Sequence, residues 1–135
     1  SLPADVAIFS AAVCDYKVKK TSKIKIKKQD ETSLKLEKNV DILDYVSNHN
    51  SLRPKLVVGF AAETNDLENY AKKKLSEKNC DWIVANDVSN QSIGFDSDFN
   101  EVSILYKDSK IERLKYKSKS EISDELVEKI IDHLN

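Results

Sequence analysis

The sequence predicts an α/β domain built on a mixed sheet. Three observations carry this. Three short apolar runs are continuous, as in strands covered on both faces. Stretches with helical periodicity lie between and after them. Two further segments alternate polar and apolar residues, as hairpins do.

The apolar runs are Val6 to Phe9, Leu56 to Phe60 and Trp82 to Ala85. A short helix is expected from about Asn39 to Asp41 onward, burying Ile42, Tyr45 and Val46. A second helix follows the second strand, with Leu67, Tyr70, Ala71 and Leu75 on one face. Asn65 is its expected N-cap, Glu68 lies three residues on, and Lys72, Lys73, Lys74 and Lys78 crowd its C-terminal half. A third helix is expected from about Ser120 to Leu134, with Ile122, Leu126, Ile130 and Leu134 as its apolar face. The first hairpin is expected to pair Lys23–Lys28 with Ser33–Lys38 across a polar turn at Gln29 to Thr32. The second pairs Glu101–Tyr106 with Ile111–Tyr116 and turns at Asp108-Ser109.

The 135 residues suit one domain with one core, 1–135, and not two. Basic and acidic side chains number 22 and 23, for a net charge of −1, which argues against whole-chain binding to nucleic acid or an anionic membrane. No apolar run approaches the roughly 20 residues that cross a bilayer. Cys14 and Cys80 form no C-x-x-C pattern, and His49 and His133 have no ligand-like neighbours. A disulfide scaffold and a zinc site are therefore excluded, and a cytoplasmic setting is expected. The only glycines are Gly59 and Gly94, so these residues hold no Gly-rich phosphate loop. The chain also has no methionine, and it is expected to start partway through a longer protein.

Ligands of open α/β sheets bind beyond the carboxyl ends of the parallel strands. Here those ends read Ser10-Ala11-Ala12-Val13-Cys14-Asp15, Phe60-Ala61-Ala62-Glu63-Thr64-Asn65 and Asn86-Asp87-Val88-Ser89. Each passes from small to polar residues, which suits close approach of an anion to the backbone and equally suits ordinary capped turns. Seven lysines fall between Lys17 and Lys28 without an acid among them. They read either as a phosphate clamp or as a solvated edge protected against aggregation. Only Tyr16 is near them, so RNA binding by stacking is not expected. Lys74 and Lys78 lie one helical turn apart and share a face. Asp96 to Asn100 resembles the start of a calcium loop, but Glu101 and Lys107 stand where glycine and the bidentate glutamate belong. Trp82 and the phenylalanines are expected in the core, except Phe60, which is placed to pack on a base. Cys14 reads as a small buried thiol.

Five stretches occur in order: Ala11-Ala12-Val13-Cys14-Asp15-Tyr16, Lys25-Ile26-Lys27-Lys28, Lys38-Asn39-Val40-Asp41-Ile42, Val58-Gly59-Phe60-Ala61-Ala62-Glu63-Thr64 and Ala85-Asn86-Asp87-Val88. Together they resemble the phosphopantothenoylcysteine synthetase family, in the C-terminal part of the bacterial bifunctional coenzyme A biosynthesis protein. The resemblance implies a Rossmann-like three-layer α/β/α fold. Its sheet would be mixed and mostly parallel, with a protruding lysine-rich β-hairpin flap. It implies an acid–amino-acid ligase joining 4′-phosphopantothenate to L-cysteine with CTP and Mg²⁺, through an acyl-cytidylate. It also implies a homodimer, without nucleic-acid or membrane partners.

Carried over by position, Lys25 matches the first lysine of the family's Lys-x-Lys-Lys flap motif and Ala12 sits where a larger side chain would obstruct the intermediate; these are the catalytic candidates. Lys25 as well as Ser10, Ala11, Asp15, Val40, Asp41, Ile42, Leu43, Phe60, Lys74 and Lys78 match nucleotide contacts. Val40 stands where proline is common in the family. Metal ligands are left unassigned. The family's Gly-rich segment and its FMN-dependent decarboxylase domain are expected to lie outside this chain. The alternative reading is a non-catalytic nucleotide- or dinucleotide-binding module.

Overall fold

The computed structural model of the chain describes residues 2–21, 24–25, 33–63, 66–87 and 97–135. Elements follow in the order β1 (Val6–Phe9), β2 (Tyr16–Val18), β3 (Leu36–Lys38), α1 (Ile42–Ser47), β4 (Leu56–Glu63), α2 (Leu67–Lys78), β5 (Trp82–Asp87), β6 (Phe99–Tyr106), β7 (Ile111–Ser118) and α3 (Lys119–Leu134). One sheet has the order β1-β4-β5-β6-β7; β2 and β3 form a separate ribbon. β1, β4 and β5 are parallel, while β6 and β7 join antiparallel. The sheet is thus mixed, with a parallel half and an antiparallel half.

The continuous apolar runs are the three parallel strands, and their alternate side chains divide into two cores. Leu56, Val58, Trp82 and Val84 pack with Ile122, Leu126 and Ile130 of α3. Val57, Ala61, Ile83 and Ala85 pack with Leu43 of α1 and Ala71 of α2 on the other face. This gives three layers, α1 and α2 over one face and α3 over the other. Each fully buried Leu, Ile or Val contributes about 1.5–3 kcal/mol.

α3 begins with a capping box. The Ser118 hydroxyl accepts from the Glu121 N–H, and the Glu121 carboxylate accepts from the Ser118 N–H. Arg53 ties the amino edges of the parallel strands together. Its guanidinium donates to both Asp81 carboxylate oxygens at 3.0 Å and to the Ser47 carbonyl at 2.8 Å. Asp81 accepts in turn from the Val57 N–H.

Several expectations are corrected. α1 buries Leu43 and Ser47, whereas Ile42 and Tyr45 are exposed and Val46 is half-buried; the helix faces the sheet with residues four apart beginning at Leu43. On α2 the buried residue is Ala71, while Tyr70 is exposed. Its N-cap is Asp66 in the left-handed region, not Asn65, and Asn79 ends it in the same region. Ser33–Lys38 was expected to pair with Lys23–Lys28. The described partner of Leu36–Lys38 is instead Tyr16–Val18, where Tyr and Val supply the strand propensity. Ile24 and Lys25 lie outside any strand, while Lys23, Ile26 to Lys28 and the expected turn at Gln29 to Thr32 fall outside the described residues. Phe99 is exposed and stacks on Tyr116. Leu134, the last residue of α3, is exposed.

Gly59 leaves no room for a side chain. A Cβ there would lie 2.8 Å from Ile83 Cδ1 and 2.9 Å from Leu43 Cδ2. Gly59→Ala should therefore destabilise the protein by about 1–2 kcal/mol in urea denaturation, as overpacking does. Adding Leu43→Ala should cost less than it does in the wild-type background, because it opens the space the new methyl needs. Strict additivity of the two substitutions would show that the contact is not limiting.

Candidate nucleotide site

β1 ends at Phe9 and β4 at Glu63, so the small residues Ser10 and Ala11 emerge beside Phe60 at the carboxyl edge of the sheet. The chain runs out through the ribbon and returns at Lys38 into α1. Between this return, the first-strand loop and α2 lies a cavity of about 740 Å³. That volume is in the range of small-molecule sites. Its lining includes Ser10, Ala11, Asp15, Val40, Asp41, Ile42, Leu43, Phe60, Lys74 and Lys78. Ten of the twelve residues singled out in the sequence therefore meet around one space. The other two do not line it: Ala12 and Lys25 are exposed.

Both helix lysines are held by internal partners. Lys74 Nζ donates to the Phe60 carbonyl at 2.8 Å, which keeps the ammonium at the end of β4. Lys78 Nζ lies 2.9 Å from the Asp41 carboxylate. Asp41 also caps α1, its carboxylate accepting from the Asp44 N–H at 2.9 Å. Burial raises the Asp41 carboxyl, but the Asp44 N–H, the Lys78 ammonium and the Lys74 charge together hold it below its ordinary value. The hydrogen bond to Asp41 raises Lys78 against the opposing effect of its own burial. Lys78 therefore stays charged at neutral pH.

Sequence reasoning missed Ile8, Phe9, Val13, Cys14, Tyr16, Lys38, Asn39 and Asp44, which also line the cavity. Five of these, Val13, Cys14, Tyr16, Lys38 and Asn39, fall within the quoted motifs, so proximity in sequence was the available signal. Cys14 is exposed rather than buried, because β1 has ended and its loop forms the cavity rim. Cys80 is the buried thiol, pushed up to about 11 chiefly by burial. The Asn86 carboxamide oxygen is buried without a hydrogen-bond partner among the described residues and does not line the cavity. The segment following β5 lies outside the described residues, as do Thr64 and Asn65. Among the described residues no cluster of three or more His, Cys, Asp or Glu side chains could hold a metal, and no helix is long and apolar enough to cross a membrane.

Residues 1–134 match the family model described as the DNA/pantothenate metabolism flavoprotein C-terminal domain. The chain belongs to this family. It is 43% identical over 128 residues to the coenzyme A biosynthesis bifunctional protein CoaBC of Bacillus subtilis, covering 94% of the chain and 31% of that protein. With the protein of the same name from Haemophilus influenzae the identity is 44%, with the same coverage. The chain thus spans about a third of the length of these relatives. The crystal structure of the C-terminal domain of a CoaBC protein superposes with a TM-score of 0.72 at 35% identity, covering 96% of this chain and 55% of that one. A DNA/pantothenate metabolism flavoprotein from Streptococcus pneumoniae gives a TM-score of 0.69 at 25% identity, covering 97% and 62%. These similarities agree with the resemblance to the synthetase part of the bifunctional coenzyme A biosynthesis protein. They also agree with the Rossmann-like mixed α/β fold.

Asp41 is asked to cap a helix and hold a pocket cation at once. Asp41→Ala should cost about 1 kcal/mol at pH 7. Its folded pKa is depressed, so its contribution is present above the unfolded value near 3.8 and fades as pH falls through the lower folded value. The gap between wild type and variant, read by urea denaturation, should narrow below that pH. A gap that is constant down to acid pH would mean that the carboxylate charge contributes nothing.

Proposed function

We propose that this chain is the nucleotide-binding portion of a phosphopantothenate–cysteine ligase that uses CTP. The observation that carries the reading is the meeting of Phe60, Lys74, Lys78 and the loops 10–15 and 40–43 around one cavity. An aromatic side chain, two cations and small residues on a sheet edge suit a base, its phosphates and a close backbone approach.

The reaction requires two anions to meet. A carboxylate oxygen of 4′-phosphopantothenate attacks the α-phosphorus of CTP, forming a carboxyl-oxygen-to-phosphorus bond while pyrophosphate leaves. The amine of L-cysteine, having lost a proton, then attacks the acyl carbon, and CMP leaves with the bonding pair. Lys74 and Lys78 offset the phosphate charge, and the flap lysine Lys25 would meet the reacting phosphoryl group on closure, where excluding water protects the acyl-cytidylate. Ala12 adjoins the cavity-lining Ala11 without lining the cavity itself, and on this reading its small side chain would leave room for the intermediate.

Magnesium is commonly held by one or two carboxylates plus substrate phosphates. Asp15 fits that role: it lines the cavity and has no ion-pair partner among the described residues, whereas Asp41 is engaged. Mg²⁺ there would supply charge neutralisation to the nucleotide phosphates. FMN belongs, on this reading, to the decarboxylase part of the bifunctional relatives.

Adding CTP with Mg²⁺ should raise the melting temperature, and more than ATP or NAD does. In the complete protein, Lys25→Gln should suppress acyl-cytidylate formation. Equal stabilisation by all three ligands would favour a non-catalytic nucleotide or dinucleotide module, and an unchanged rate of intermediate formation would remove Lys25 from the mechanism.

A homodimer is part of the proposal. Tyr16, Leu36 and Val40 expose 62%, 57% and 64% of their surface on and beside the ribbon. A two-stranded ribbon is marginal by itself, and a second copy would cover these side chains. Light scattering should give twice the chain mass, and Leu36→Lys should shift it toward the monomer. A wild-type monomer at micromolar concentration would refute the dimer.

A further inference from the structure

The cavity is formed by two stretches far apart in sequence, the loop 10–15 leaving β1 and the turn 39–43 entering α1. Asn39 connects them. Its backbone N–H donates to the Asp15 carbonyl at 2.7 Å. Its side-chain Nδ2 donates to the Cys14 carbonyl at 3.1 Å, and its Oδ1 accepts from the Val40 N–H at 3.1 Å. One half-buried carboxamide therefore spends a donor on one wall and an acceptor on the other.

The chemistry of that group is specific. Aspartate at this position keeps the acceptor but loses the donor, and it turns a carboxylate oxygen toward a carbonyl. Alanine loses both. Serine can donate or accept over a shorter reach. The backbone bond to Asp15 survives every substitution and continues the ribbon ladder, in which Tyr16 pairs with Lys38. The ribbon ladder thus has backbone bonds of its own, and the side chain adds a further bond between the two walls beyond it.

We propose that Asn39 is a positioning residue for the nucleotide, holding the Ser10–Asp15 wall in register with the Val40–Leu43 turn. This rests on the reading of the cavity as a nucleotide site. Asn39 acts through the walls and touches no reacting atom, so its loss should weaken nucleotide capture and leave the later steps intact.

The test has two parts. CTP with Mg²⁺ is titrated against the wild-type chain and against Asn39→Ala, Asn39→Asp and Asn39→Ser, with the melting temperature of each ligand-free protein recorded. In the complete synthetase the same substitutions are read as KM for CTP, KM for L-cysteine and kcat. The expected result is about a tenfold loss of CTP affinity in Ala and Asp, the size of one lost hydrogen bond. Ser should recover part of it. Melting temperatures should stay within a few degrees, and KM should rise for CTP but not for L-cysteine. Unchanged affinity in a wild type that binds CTP would overturn the role of Asn39 while leaving the nucleotide site standing. A collapse of melting temperature in all three variants, or parallel rises in both KM values, would make the residue structural only and overturn the proposal. Failure of the wild type to bind CTP would remove the nucleotide site, and this role with it.

Discussion

The close approach of α1 to β4 at Gly59 sets the geometry on which the cavity depends. Only a residue without a Cβ lets Leu43 and Ile83 converge there, with atoms within 3 Å of the position a methyl would take. That convergence brings the start of α1 down onto the sheet. Asp41 then reaches Lys78 across the gap, and Phe60, the next residue along β4, stands at the cavity wall. A larger residue at Gly59 would press on the ends of the Leu43 and Ile83 side chains, and through Leu43 on the helix that begins beside Asp41. The second constraint acts from the opposite edge. Arg53 binds the end of α1 through Ser47 and the start of β5 through Asp81. The helix is held at its start by the packing of Leu43 and at its end by the hydrogen bond from Arg53.

The electrostatics follow from the same arrangement. A net charge of −1 hides a local separation of charge. Lys74 and Lys78 point to one space, and each is kept there by an acceptor of the protein itself. Such lysines lose little side-chain freedom when an anion arrives, because they are already ordered. The Asp41 carboxylate lowers the positive potential that Lys78 presents, so an incoming phosphate must share the ammonium with it. The arrangement favours a multiply charged ligand over a single carboxylate, since only the former exceeds the competing acid in charge.

Much of this was legible in the sequence, for identifiable reasons. The three parallel strands announced themselves because both faces are covered and their apolar runs are unbroken. The antiparallel hairpin and the face of α3 through Ile122, Leu126 and Ile130 were visible in period two and in helical spacing. The face of α1 was not. Ile42, Leu43, Tyr45 and Val46 are all apolar in six residues, so pattern cannot choose which of them meets the sheet; Gly59, distant in sequence, makes the choice. The ribbon was misjudged because Lys23–Lys28 alternates more visibly than Tyr16–Val18, and local alternation carries no information about which segment lies opposite Leu36. The cavity was legible where motif residues line it and obscure where backbone geometry decides, as at Cys14, whose exposure depends on where β1 stops.

Asn39 shows why such residues escape sequence reading. Between a lysine and a valine, ahead of an aspartate N-cap, it looks like ordinary turn chemistry. Its partners are Cys14 and Asp15, some 25 positions away. Those bonds close the neck through which the chain leaves the body for the ribbon and returns. A ribbon of two three-residue strands has little stability of its own, so its orientation is dictated at this neck. The bonds that Asn39 makes join this neck to the walls of the cavity. A change at this one carboxamide should therefore affect ligand capture and ribbon orientation together, while the five-stranded sheet, held by its own two cores, remains as it was.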